Sequence, residues 1–176
     1  MNIFYLHEDA KIAAQWHCDK HVVKMIVETA QLLSTAHRVL DGDKRADDLG
    51  IYKAAYQNHP SAVWVRESVG NYDWATSLLI ALLEEYTKRY GKTHKTQAVG
   101  EALRANRPHG IASGNVSEPP QCMPDEYKGP SAVDAYRLYY IGDKARFARW
   151  RHGNQPDWWP RPKRRTVKLK ISEVTQ

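Results

Sequence analysis

The stretch HCDKHVVKMIVETAQLLSTAHRVLDG, residues 17–42, decides the fold. At 100° per residue, His17, His21, Lys24, Glu28, Gln31, Thr35 and Arg38 fall within one arc about 100° wide. Cys18, Val22, Val23, Met25, Ile26, Val27, Ala30, Leu32, Leu33 and Ala36 take up most of the remaining circumference. A surface helix shows the reverse proportion, an apolar stripe on a polar cylinder. This segment therefore reads as a mostly buried helix with one ionisable row. Such a row either lines a cleft or is simply the one side turned to water, and the sequence leaves both open.

Working outward, Asp9 is placed to cap this helix, which is predicted to run to about Leu40. Before it, MNIFYL (residues 1–6) is a short β-leaning run. It could pair with TVKLKI, residues 166–171, whose polar and apolar residues alternate. Gly42 and Asp43 end the helix, and DGDKRADD reads as a polar loop. A short helix is expected over 49–57. Asn58-His59-Pro60-Ser61 turns into a long helix over 62–90, bent or broken at Gly70-Asn71 and capped by Gly91. A more polar helix follows over 93–106. Residues 107–129 form a long Pro- and Gly-rich loop, and Pro130 opens a last helix to about Trp150. The expected fold is mainly α: a single-domain helical bundle with a short N-terminal strand able to pair with a C-terminal one. Residues 1–150 form the helical domain, and 151–176 a basic, Trp-containing segment packed on it.

Charge sharpens that division. The 176 residues carry a net +6, but residues 144–170 hold ten Lys or Arg against Asp157 alone, a net +9. The remaining body is at −3. A basic segment of this kind seeks a polyanion, most often nucleic acid, or serves solubility alone. Three of the six tryptophans, Trp150, Trp158 and Trp159, are interleaved with Arg149, Arg151, Arg161, Lys163, Arg164 and Arg165. Cations hold phosphates, and flat rings stack on unpaired bases. The same rings could instead fold back and pin the tail to the core. The longest apolar run, residues 75–83, is too short to span a membrane, and polar residues from Asn2 onward leave no secretory signal. Two cysteines, Cys18 and Cys122, suit a reduced, cytoplasmic protein. DNA is the favoured partner, a protein partner stays possible, and no membrane association or cofactor is expected.

Three chemistries could use the ionisable row. His17 and His21 have the i,i+4 spacing at which two imidazoles share a metal, as in a metal-dependent hydrolase, but lack the adjacent Glu of the zinc proteases. A third ligand would come from Cys122, His59 or an acid. Glu28, one turn from Lys24, could act as a general acid or base. Lys24, Arg38 and protonated histidines could instead contact phosphates, and the alternative to an enzyme is a non-catalytic nucleic-acid binder that modulates transcription or replication. Two further clusters stand out. EPPQCMPDEYK, residues 118–128, is a stiff loop that can present side chains or merely connect. In NHPSAVWVRES, residues 58–68, His59 is most simply a cap. There is no phosphate-binding glycine loop, dinucleotide fingerprint, nucleophile elbow or zinc-spaced cysteine pair.

The three quoted stretches resemble a family of small proteins encoded by tailed bacteriophages, which implies a phage origin and the host cytoplasm. The order of parts is also similar to the pyrimidine-dimer DNA glycosylases of the endonuclease V type. Those are small, basic, mainly α proteins with an aromatic, basic C-terminal segment. That resemblance implies a glycosylase or lyase acting on damaged or modified bases. Its nucleophile would be the Met1 amine, attacking the sugar C1′ and forming a Schiff base, with Glu28 as the acid and Lys24 and His21 beside it. An α-amine titrates near pH 7.7–8.0 in model peptides, roughly where such a nucleophile must be unprotonated. The sequence departs from the family in two places. Asn2 keeps Met1 in place, so the nucleophile would carry a bulky side chain. His21-Val22-Val23-Lys24 stands where an Arg-Glu pair is expected.

Overall fold

A computed structural model describes residues 2–160. Among these, seven α-helices form the body: α1 (Ala10–Trp16), α2 (Asp19–Asp41), α3 (Asp43–Asp48), α4 (Pro60–Glu67), α5 (Val69–Tyr90), α6 (Gln97–Ala105) and α7 (Ala132–Tyr139). A π-helical turn, Tyr140–Lys144, extends α7. Helix α2 is the centre, packed against α3, α4, α5 and α6, while α1 lies along α5. Its Val22, Met25, Ile26, Ala30, Leu32, Leu33 and Ala36 are fully buried, as are Leu78, Leu79 and Leu82 of α5, the helix it packs against. The reading of residues 17–42 as a helix enclosed on most sides therefore describes the core.

The expected strand pairing is corrected. No strand occurs among the described residues, and residues 166–171 lie outside them. Residues 2–6 run through the core without regular structure, with Ile3, Phe4, Tyr5 and Leu6 all buried and Leu6 N–H donating to the Phe4 carbonyl at 2.9 Å. Side chains satisfy part of this backbone: Asn2 N–H donates to Glu28 Oε2 at 3.1 Å, and Arg137 Nε donates to the Leu6 carbonyl at 3.0 Å. An apolar, β-leaning run is equally suited to being threaded between helices.

Boundaries moved wherever distant side chains captured backbone groups. The first helix breaks at His17-Cys18 because Arg89 of α5 takes the carbonyls of Gln15 and His17, each at 2.8 Å. The Tyr140 hydroxyl then accepts Cys18 N–H at 3.1 Å. Residues 51–56 are not helical, and α3 forms instead within the stretch read as a polar loop. Ser34 and Thr35 of α2 accept Tyr52 N–H at 3.2 Å and Ala55 N–H at 3.0 Å, fastening that segment to α2. The long helix over 62–90 is two helices divided at Ser68, which caps α5 by accepting Asn71 N–H at 3.2 Å. The last helix gives way to the π turn well before Trp150.

Candidate active site

The polar row of α2 divides into two halves with different duties. In the C-terminal half, the Arg38 guanidinium donates to Asp43 and Asp47 at 2.8 Å each, and to the carbonyls of Tyr52 and Ile51 at 2.6 and 3.3 Å. Its donors are taken by the fold, so the expectation that it meets a phosphate is corrected. Thr35 lies beside it and donates to the carbonyl of Gln31 at 2.7 Å.

The N-terminal half stays open. Lys24 Nζ lies 3.1 Å from Glu28 Oε1, with the lysine side chain 61% exposed and the glutamate 15%. The other carboxylate oxygen, Oε2, accepts Asn2 N–H at 3.1 Å. One turn before Lys24, Lys20 extends the same cationic row, as i, i+4 neighbours do. Met1 lies outside the described residues.

Two sequence clusters join this carboxylate. Asn2 Nδ2 donates to the Cys122 carbonyl at 2.9 Å, which ties the stiff loop to the N-terminal segment. Cys122 Sγ lies 3.5 Å from Ser61 Oγ in the first turn of α4. His59 caps α4 by accepting Ser61 N–H on Nδ1 at 3.2 Å. Burial lowers the His59 pKa, while the negative charge of Glu28 acts in the opposite sense. A chain of contacts thus runs from the Glu28 carboxylate through Asn2 to Cys122 and on to Ser61, with His59 within reach of the Glu28 charge.

His17 and His21 belong to an aromatic wall. His21 stacks on Phe4 with ring centroids 4.6 Å apart and meets Tyr140 and Phe147 at 5.1 and 5.3 Å. Burial drives the His17 pKa down to about 4. Burial first, then His17 and the charges of Lys144, Lys24 and Lys20, drive that of His21 to about 2. Both rings are neutral near pH 7, which corrects the expectation that they hold phosphates as cations. Among the described residues, no group of three His, Cys, Asp or Glu side chains is arranged to hold a metal. The HxxxH pair gains no third ligand there.

The basic segment is described only as far as Pro160, so Arg161, Lys163, Arg164 and Arg165 lie outside the described residues. Arg149 and Arg151 are exposed, and with Lys20 and Phe147 they line a cleft of about 270 Å³. Arg151 N–H donates to Asp19 Oδ2 at 2.7 Å, fixing this stretch at the start of α2. Trp150, Trp158 and Trp159 are half-buried against the core. Trp150 Nε1 donates to the Trp16 carbonyl at 3.0 Å, and the rings of Trp150 and Trp159 meet edge-on at 4.7 Å. The π turn carries Lys144, whose ammonium lies 4.3 Å from the Tyr139 ring centroid. Lys20 lines the Arg149–Arg151 cleft together with Asp19, and Lys24, one turn further along α2, is exposed and paired with Glu28. A larger cleft, about 670 Å³, is lined by Arg45, Arg104 and Arg107. It lacks Glu28, and its Arg107 is paired with Asp73 at 2.6 Å.

Sequence reasoning missed Asn2, Tyr136, Lys20 and Lys144 as parts of this neighbourhood. Lys20 was legible, sitting only about 40° from Lys24 around the helix. Tyr136 hydrogen-bonds Asn2 across 134 positions, and no local pattern announces such a meeting.

The fold and site define a small, mainly helical protein whose N-terminal backbone rests on a carboxylate flanked by cations. The family model for pyrimidine dimer DNA glycosylases matches residues 1–98, more than half of the chain, and the chain belongs to that family. The family is one of DNA glycosylases acting on pyrimidine dimers, so its substrate is DNA. Cys122, Tyr136 and the basic segment lie beyond the matched residues. No curated protein and no solved structure matches the chain. Neither the match nor the fold speaks to a bacteriophage origin. Among the described residues, no helix is long and apolar enough to cross a membrane.

Proposed function

We propose that this protein is a pyrimidine-dimer glycosylase with an associated lyase step, using the Met1 amine as nucleophile and Glu28 as its acid–base partner. The observation that carries the reading is the 3.1 Å hydrogen bond from Asn2 N–H to Glu28 Oε2. Covalent geometry keeps the preceding amine within about 3.8 Å of that nitrogen, one Cα–Cα step. In the proposed reaction the unprotonated amine attacks C1′, and the pyrimidine leaves with the electron pair of the glycosidic bond and takes a proton from water. Glu28 takes the proton shed by the new secondary ammonium and passes it to O4′ as the C1′–O4′ bond opens, which yields the protonated Schiff base. Glu28 then takes a proton from C2′, and the 3′ phosphate leaves by β-elimination. Lys20, Lys24, Arg149 and Arg151 hold backbone phosphates, and the residues beyond 160 add to that grip. His21, neutral and stacked, packs behind the carboxylate row rather than sharing in proton transfer.

Borohydride trapping on dimer-containing and abasic DNA tests this. A covalent adduct is expected with the native chain. It should fall at least about a hundredfold in Glu28→Gln, the scale of removing a general acid or base. It should vanish when the α-amine is blocked by methylation. Salt-sensitive DNA binding with no adduct would replace this reading with that of a non-catalytic binder.

A further inference from the structure

Asn2 makes more hydrogen bonds than its place in the chain demands. Its backbone N–H donates to Glu28 at 3.1 Å, and its Nδ2 donates to the Cys122 carbonyl at 2.9 Å. Its Oδ1 accepts Ile3 N–H at 2.8 Å and faces the Tyr136 hydroxyl at 3.0 Å. That hydroxyl also lies 2.8 Å from the Pro120 carbonyl and accepts Cys122 N–H at 3.3 Å. A phenol has one proton, which Asn2 and Pro120 share. Burial raises the Tyr136 pKa, so the hydroxyl stays neutral and that proton stays available.

Holding the segment does not require this arrangement. Ile3 and Leu6 are buried to 1% and 0% exposure, and burial of two such side chains is itself a strong anchor. What the Asn2 side chain adds is orientation. With its amide fixed at both ends and its own N–H on Glu28, Asn2 holds the nitrogen to which residue 1 is joined. A hold on that nitrogen limits where an amine one residue earlier can be carried. For a nucleophile that must reach C1′ this restriction matters, since a misplacement of about 1 Å can cost on the order of a hundredfold.

We propose that Asn2 is a positioning residue for the N-terminal amine, clamped by the Tyr136 hydroxyl and the Cys122 carbonyl. This rests on the glycosylase reading above. It gives the 118–128 loop a role in the reaction: it supplies a carbonyl that aims the nucleophile's peptide, and Tyr136 fastens both.

Single-turnover borohydride trapping on abasic DNA, with Tyr136→Phe and Asn2→Leu, tests the clamp. Leucine is chosen over alanine because a small second residue invites removal of Met1. The trapping rate constant should fall roughly 10- to 100-fold in each variant. Adduct amplitude should stay full, DNA affinity within about twofold, and the pH midpoint of the rate unchanged. A merely structural role would lower the amplitude and the melting temperature and leave the rate constant of the folded fraction alone, overturning the proposal. So would native rate constants in both variants, in which case the glycosylase reading stands without the clamp. If the native chain forms no adduct, the reading and the clamp fall together.

Discussion

His17 and His21 show how one residue type at a suggestive spacing serves packing. Their folded pKa values, about 4 and about 2, lie below the ordinary 6.5 because burial penalises the imidazolium. His37, His59 and His94 are lowered in the same direction by burial. A lowered folded pKa means that the unfolded chain binds protons first as pH falls, so this stability is complete above 6.5 and is lost on acidification. Each histidine costs about 1.4 kcal/mol per pH unit from 6.5 down to its folded pKa. Against a total stability on the order of 5–15 kcal/mol, the protein should unfold in acid before His21 titrates in the native state. Urea unfolding between pH 7 and pH 4 should show a steep fall, shallower by about one proton in His21→Phe. An unchanged slope in that variant would mean that His21 is protonated in the fold. The spacing of these two histidines was legible in the sequence. Their surroundings were not, because Phe4, Tyr140 and Phe147 approach from three separate segments.

At the scale of elements, α2 was readable because its pattern is internal to one helix, and a wide apolar circumference can only be buried. The two duties of its polar row were not readable. Thr35 and Arg38 became structural because residues 43–55 fold back onto them, whereas Lys24 stays exposed beside Glu28, whose other oxygen accepts Asn2 N–H. The same cause explains the missed break at His17-Cys18: the periodicity runs on, but a guanidinium 72 positions away takes the His17 carbonyl. Arg89 is fully buried in its side chain, paired with Glu85 at 2.9 Å and Asp19 at 3.2 Å. Arg89→Met should therefore destabilise by about 3–5 kcal/mol, because Glu85 would lose its buried partner and be left with the exposed Lys88 at 3.3 Å, and two carbonyls would be unpaired. Arg89→Lys should recover little, since an ammonium cannot reproduce the planar fork that reaches both carbonyls and both acids. Chemical denaturation of the two variants checks this, and a loss below about 1 kcal/mol in Arg89→Met would show that the α1–α2 corner does not depend on it.

For the whole molecule, charge distribution links the site to its substrate. Residues 161–176 contain six Lys or Arg and one Glu, so a chain ending at Pro160 keeps a net charge of only +1. The cationic face of the described body, Lys20, Lys24, Arg149 and Arg151, survives that truncation. The two parts can therefore be separated by salt. Each phosphate neutralised adds about 0.9 to the slope of log affinity against log salt on duplex DNA. If the terminal segment and the body face act together on one duplex, truncation at 160 should lower the slope by as much as about 5 and leave a residual slope from the body. Substituting Lys20 and Lys24 by Gln in the full chain should lower it by about 2. Adduct formation at saturating DNA should persist in the truncated chain, because Asn2, Glu28 and Tyr136 are untouched. A slope unaffected by truncation would confine the phosphate contacts to the body, and loss of trapping at saturation would assign the terminal segment a part in the chemistry itself.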